Sequence, residues 1–269
     1  MISRTRLSSV LLLIAACAMT SFMGRAQGAK TGAAYYRPVE LNLQRTARRV
    51  FKSYQREYPG QGFYTENFYP IGWSKNGNFA YYTEPVDEAC GCYFAKLFIL
   101  DLKTDKVLWA FEHQGDSIDE EKQAGKPYSF STMWRANQKL FSSKLREYGI
   151  EPQGPTSLLS FPATYGGDRL TADFKTKNKE GLGEDARIYG VVGHLTLQLN
   201  SQRNGKKTVL DYAYTEEGIP LYVGMVGYVK SPFEPRIAVI LMEIYRGYEG
   251  PPNTGTVKIV GADLATGFK

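Results

Sequence analysis

Along most of the chain, apolar residues recur at every second position or in short unbroken runs. Two segments instead show the three-and-four spacing of a helix. In residues 41–54, Leu43, Ala47, Val50, Phe51 and Tyr54 fall on one side of a 3.6-residue repeat, and Pro59-Gly60 ends it, which predicts a short N-terminal amphipathic helix. The clearer helix is predicted over 131–148, with Trp134, Leu140, Phe141, Leu145 and Tyr148 on one face. Gly149 stands where a left-handed C-terminal cap is expected, and Pro152 and Pro155 bar continuation.

The other patterned segments read as strands. Residues 63–73 are rich in aromatics, 79–83 and 93–102 alternate or run apolar, and 107–111 follow a Lys-Thr-Asp-Lys turn. Further strands are expected over 187–199, 208–215, 221–229, 237–245 and 256–262, with Asn204-Gly205 as a hairpin signal. Residues 117–126 read as a polar loop or short helix. The Gly-, Lys- and Asp-rich residues 162–186 read as a long exposed connection. Nothing alternates strand with crossover helix, so the expectation is a mainly β (α+β) fold of antiparallel sheets.

Part of the pattern occurs twice. PIGWSKNGNFAYYTEP followed by KLFILDLKTDK matches, feature by feature, MVGYVKSPFEPRIAVILMEI followed by TVKIVGADLATGF. Each copy has a glycine and an aromatic (Gly72-Trp73, Gly227-Tyr228), a turn and a strand containing alanine (Ala80, Ala238). Each then has a strand ending in Asp-Leu-x-Thr, at Asp101–Thr104 and Asp263–Thr266. The spans are 70–108 and 225–266, a candidate internal duplication. The segment from Trp73 to Ala80 resembles the W-S-x-D-G-x-x-I-A strand motif of TolB-like β-propeller repeats, with Asn76 in the aspartate's place. Asp263-Leu264-Ala265-Thr266-Gly267 is similar to the D-x-x-T-G turn that closes such hairpins. Together with Arg246–Pro251 and the 131–148 helix, the repeat also resembles a group of predicted secreted bacterial proteins of unknown function. The resemblance implies export and a β scaffold, and no established activity. A full propeller needs four or more blades. With two motifs, the expectation is antiparallel blade-like meanders forming a sandwich or an incomplete propeller.

The first residues change the picture of where such a scaffold works. Arg4 and Arg6 precede an apolar centre from Val10 to Ala16 and small residues follow, the layout of a signal peptide over 1–28. A second reading is a lipoprotein signal over 1–16, because Ile14-Ala15-Ala16-Cys17 resembles a lipobox in which Cys17 is lipidated. Both readings export the chain to the periplasm or beyond. Residues 29–38 then read as a linker and 39–269 as a single β-rich domain. No later apolar run approaches the ~18 residues of a transmembrane helix.

Charge excludes little except nucleic acid. The chain carries 33 basic and 27 acidic side chains; loss of residues 1–28 removes three arginines, leaving 30 against 27, or +3. No dense basic stripe appears, and Arg45, Arg48, Arg49 and Lys52 read as a solvated helix face.

Candidate chemistry centres on Cys90-Gly91-Cys92. On a regular strand the two Cα atoms would stand about 6.6 Å apart, near the upper limit for a disulfide, and Gly91 allows a bend that relaxes this. Export favours oxidation, so the preferred reading is an intramolecular staple that shapes the turn. The alternatives are a zinc or copper clamp using Cys90, Cys92 and His113, and a catalytic dithiol, for which the spacing is one residue short.

Motifs for zinc proteases, serine hydrolases, phosphate loops and dinucleotide binding are absent from the sequence. His194, in an alternating run, reads as a strand-face residue, and Asp116, Asp119, Glu120 and Glu121 as a solvated acidic cluster. Tyrosines and phenylalanines concentrated between residues 35 and 69 read mostly as core, or, where exposed together, as a platform for a glycan or a protein. The expectation is therefore an exported cell-envelope protein without a cofactor, working as a non-catalytic binding or interaction module for an envelope protein or glycan. A metal- or redox-dependent envelope protein and an unrecognised hydrolase are the alternatives.

Overall fold

The computed structural model describes residues 36–88, 92–115, 129–180, 190–215 and 218–269. Residues 1–35 with Cys17, residue Cys90, the 116–121 acidic cluster and the whole of 117–126 lie outside the described residues. Among the described residues the fold is mainly β, with antiparallel sheets and few helices.

Two abutting helices, α1 (Gln44–Val50) and α2 (Lys52–Glu57), replace the single N-terminal helix. They bury Ala47, Phe51 and Tyr54 and leave Arg45, Arg48, Arg49 and Lys52 in solvent. Strand β1 (Phe63–Thr65) and strand β2 (Asn67–Trp73) divide the aromatic run 63–73, which was expected to act as one unit. They enter different sheets, with Glu66 at the handover. Strands β3 (Asn78–Glu84), β4 (Phe94–Asp101) and β5 (Lys106–Gln114) continue from β2 as an antiparallel meander.

The expected 131–148 helix is also two: α3 (Phe130–Ala136) and α4 (Gln138–Glu147). The break falls at Asn137, whose side-chain amide donates to the Met133 carbonyl at 3.1 Å, a local bond that competes with helix continuation. The shift turns Leu140 outward, 41% exposed, whereas Phe141 and Leu145 stay buried. Beyond α4, Gly149 has φ +68°, and the amides of Gly149 and Ile150 donate to the carbonyls of Arg146 and Leu145. This is the Schellman pattern that the sequence implies.

The largest correction concerns residues 162–186. Instead of an exposed connection, their described part, 162–180, holds β7 (Ala163–Tyr165) and β8 (Asp168–Asn178), joined across Gly166 and Gly167, both at positive φ as a two-residue hairpin turn requires. Leu170 is fully buried and Ala172 and Phe174 pack on the core, while Lys175 and Lys177 remain exposed. The alternation is present under a charged composition.

Strand β6 (Glu151–Pro152) pairs with β2. The third meander continues with β9 (Val192–Ser201) and β10 (Gly205–Ala213). Their loop is not a tight Asn-Gly turn: Gly205, at φ +89°, opens β10 opposite Ser201, and the Ser201 hydroxyl accepts from the amides of Arg203 and Asn204. Strands β11 (Tyr222–Lys230), β12 (Arg236–Tyr245) and β13 (Asn253–Asp263) complete the set.

Three sheets result, ordered β5-β4-β3-β2-β6, β1-β13-β12-β11 and β10-β9-β8-β7. The second is central. One face packs Val226, Ala238, Ile240 and Met242 against Trp73, Phe79 and Tyr81 of the first sheet and against α1 and α2. The other packs Ile237, Val239 and Leu241 against Leu195, Leu197 and Leu199 of the third. Strand β12 is covered on both sides, which is why its sequence is a continuous apolar run. Helices α3 and α4 cover the outer face of the first sheet through Phe130, Trp134, Phe141 and Leu145.

The two similar sequence stretches share local geometry. Each has a register shift just before its glycine-aromatic pair, between Pro70 and Gly72 and between Met225 and Gly227. Each glycine lies against the backbone of an extra segment; a Cβ would stand 2.2 Å from the Glu151 oxygen or 2.4 Å from that of Leu159. Asp101 accepts from the Lys103 amide and Asp263 from those of Ala265 and Thr266. Leu102 and Leu264 then donate their amides to the carbonyls of Gly77 and Pro235 in the preceding hairpin turns. The two stretches meet at Arg236, which donates to the Leu102 carbonyl at 3.0 Å and contacts Glu234 and Asp263 at 3.0 and 3.4 Å.

Candidate functional site

The register of the β2–β3 hairpin sets Asn67 opposite Glu84 and Tyr69 opposite Tyr82 at the end of the first sheet. Side chains two apart on a strand share a face, so Asn67, Tyr69, Tyr82 and Glu84 converge. Glu84 Oε2 accepts from Asn67 Nδ2 at 2.9 Å and from the Tyr69 hydroxyl at 2.7 Å. Its Oε1 accepts from the Tyr93 hydroxyl at 2.5 Å, and Tyr93 lies 3.0 Å from the Tyr82 hydroxyl. Burial pushes the Tyr69 and Tyr93 hydroxyls up from their ordinary value, and donation to Glu84 pushes them further. They remain neutral donors that fix the direction of the carboxylate.

Phe130, from the first turn of α3, stacks on Tyr69 at 4.2 Å and 6°. The Arg37 guanidinium lies 5.2 Å from the Phe130 ring centre. These groups, with Thr65 and Ser131, line a cleft of about 490 Å³. Residues 85–88 carry its wall onward. Pro85 and Val86 also border a cavity of about 350 Å³ that reaches Phe94 and Tyr248. Val86, Asp87 and Glu88 border another, of about 220 Å³, with Tyr64, Tyr248 and Pro251. The opposing loop is pinned: Tyr248 donates its amide to Glu88 Oε2 at 2.7 Å, and Gly247 donates to the Asn253 side chain at 3.2 Å. Asn253 is 1% exposed and donates in turn to the Tyr54 hydroxyl. Tyr64 and Tyr248, facing this region, are 58% and 78% exposed.

Beneath the cleft sits Glu66, flanked in sequence by cleft residues Thr65 and Asn67. It is 7% exposed, and accepts from the Val257 amide and the Thr83 hydroxyl. Burial pushes its carboxyl up to about 7, with Glu243 on β12 adding to the rise and Lys96 on β4 opposing it.

Sequence reasoning placed chemistry at Cys90, Cys92 and His113. Cys92 is half-buried, two positions before β4 and immediately before Tyr93 of the Glu84 network. Cys90 lies outside the described residues, so the staple stands as a proposal. His113 sits near the end of β5 opposite Ala95, its ring centre 6.4 Å from that of Tyr93. Among the described residues no group of three histidine, cysteine or acidic side chains is placed to hold a metal. His194 lies on β9 with Nε2 2.7 Å from Asp211 of the paired strand.

Glu84, Asn67 and Arg37 were missed. The signal for the first two was available: extending the pairing back from the Ser74–Gly77 turn sets a polar residue opposite a carboxylate at the end of an aromatic hairpin. Arg37 carries no such mark, because it reaches the site from outside any strand.

No protein family, curated protein or solved structure matches this chain. The reading of the site therefore rests on its chemistry. The cleft offers one oriented carboxylate, one guanidinium, hydroxyls and an amide, with exposed rings beside it, an arrangement suited to holding a polar ligand by hydrogen bonds and ring contact. Among the described residues no helix is long and apolar enough to cross a membrane.

Proposed function

We propose that the protein is an exported cell-envelope component that works by non-covalent binding, with the cleft around Glu84 and the flanking 85–88 segment as its ligand surface. A glycan or another envelope protein is the partner. The leader-like first 28 residues support export. The observation that carries binding is the pair Tyr64 and Tyr248, both more than half exposed and bordering one cavity although they come from different strands and loops. Large rings left in solvent beside a preformed cleft mark an interaction surface rather than a core.

The double replacement Tyr64→Ala and Tyr248→Ala tests this. Both side chains being exposed, thermal unfolding should stay within about 2 °C of the parent. Retention on immobilised envelope glycans, or capture of an envelope protein, should fall at least about tenfold. Undiminished capture by the double variant would remove the assignment.

The Cys90–Cys92 staple belongs to the same proposal, since Cys92 directly precedes Tyr93, whose hydroxyl donates to Glu84. Thiol labelling of the oxidised, folded protein should modify neither cysteine before reduction and both after it. Labelling of both without reductant would refute the staple and favour the metal- or redox-dependent alternative.

A further inference from the structure

We propose that the Glu84 cleft recognises an acidic saccharide, with Arg37 reading the sugar carboxylate and Glu84 a neighbouring hydroxyl. The inference rests on the binding reading above and assigns its ligand class.

The argument starts from which hydrogen-bonding capacity is already spent. A carboxylate offers about four acceptor sites. Three on Glu84 are used by Asn67, Tyr69 and Tyr93. What remains suits a single hydroxyl donor; an ammonium group, with three donors to satisfy and a charge to neutralise, is poorly served. Asn67 has its amide group turned to Glu84, so its carbonyl oxygen is left to accept, and Ser131 adds a hydroxyl that both donates and accepts. Rings of alternating hydroxyl donors and acceptors match such a set.

Arg37 supplies the selectivity. Its guanidinium lies over the ring of Phe130, and Phe130 is itself held by its stack on Tyr69. Contact with a ring consumes none of the guanidinium N–H donors, and such a fork can bind a carboxylate in two parallel hydrogen bonds. Placed in a cleft of about 490 Å³ with Glu84, it requires the ligand to carry an anion and hydroxyls in one compact molecule. A sugar acid does so. The adjoining cavity with Tyr64 and Tyr248 would extend contact to the next sugar unit.

Isothermal titration with trigalacturonate, which has a carboxylate on each unit, and with maltotriose, a neutral α-1,4-linked trisaccharide, tests the proposal. Arg37 is exposed, so Arg37→Gln should fold. The expected result is saturable binding of trigalacturonate that Arg37→Gln weakens at least about tenfold, with maltotriose binding weaker and equal in both proteins. Equal binding of both sugars, unchanged by Arg37→Gln, would overturn the acidic preference and leave the cleft reading standing. Inorganic phosphate binding as tightly as trigalacturonate would overturn it by making Arg37 a general anion contact. Absence of binding by either sugar at millimolar concentration would overturn it as well; the broader reading would then depend on envelope-protein capture that Tyr64→Ala/Tyr248→Ala abolishes.

Discussion

Gly261→Ala is expected to lower the unfolding temperature by about 10 °C, because a single methyl group there collides with backbone. A Cβ on Gly261 would stand 2.0 Å from the Leu102 oxygen and 2.8 Å from its carbonyl carbon. Neither can move alone. That oxygen accepts from Arg236 Nη1 at 3.0 Å, and the Gly261 amide donates to Asp105 at 2.7 Å. Relieving the clash means separating the end of β4 from β13, which breaks the Arg236 contact and loosens Leu102, only 1% exposed. Overpacking costs roughly 2 kcal/mol and loss of a charged hydrogen bond roughly 2 more. Gly154→Ala, where nothing lies within 4 Å, is the control and should shift the midpoint by less than about 2 °C. Equal midpoints for the two variants would show that the meanders are not joined at this seam.

The second large effect is a pH dependence centred on Glu66. Its folded-state carboxyl titrates at about 7, above its ordinary 4.5, mainly through burial. A raised acid binds its proton more tightly in the folded than in the unfolded chain. Its contribution is therefore full below about 4.5 and falls as pH rises toward 7, a span worth about 3 kcal/mol. Glu66→Gln keeps an acceptor for the Val257 amide while removing the ionisation. In urea titrations the variant should match the parent near pH 4.5 and exceed it by about 2–3 kcal/mol at pH 8. Parallel stability curves across that range would show that the Glu66 carboxyl has the same pKa in the folded and the unfolded chain. The charged neighbours Lys96 and Glu243 are unchanged in both proteins, so the difference isolates the one carboxyl.

Why Glu66 escaped a reading of the sequence is instructive. Its neighbours Thr65 and Asn67 suggest an exposed position, and nothing local says that the chain changes sheets there. Burial is decided by β13, whose Val257 amide lies 191 positions further on. What was legible was short-range: the Gly149 cap, the Ser74 turn and the Asp101 and Asp263 turns are each set by residues within about five positions of one another. Strand β8 fell between these cases. Leu170, Ala172 and Phe174 alternate as a strand should, but the intervening aspartate, lysines and threonines gave the stretch the composition of a loop. Composition outweighed period, and the period was right. The candidate site divides in the same manner. Asn67 and Glu84 follow from hairpin register, whereas Arg37 and Phe130 join them only through packing across segments with no sequence relation.

The pairing of β1 with β13 bears on the order of assembly. Phe63 lies beside Asn253, 190 positions later, in the only parallel pairing among the described strands. A polypeptide delivered N-terminus first can form the first meander early, since its strands are close neighbours in sequence. The middle layer must wait for residues 253–263, and contacts this distant in sequence make folding slow. Until they arrive, the edge of β12 that β13 pairs with stays open to other chains. A holding factor present during synthesis would thus protect this protein longer than its modest size suggests.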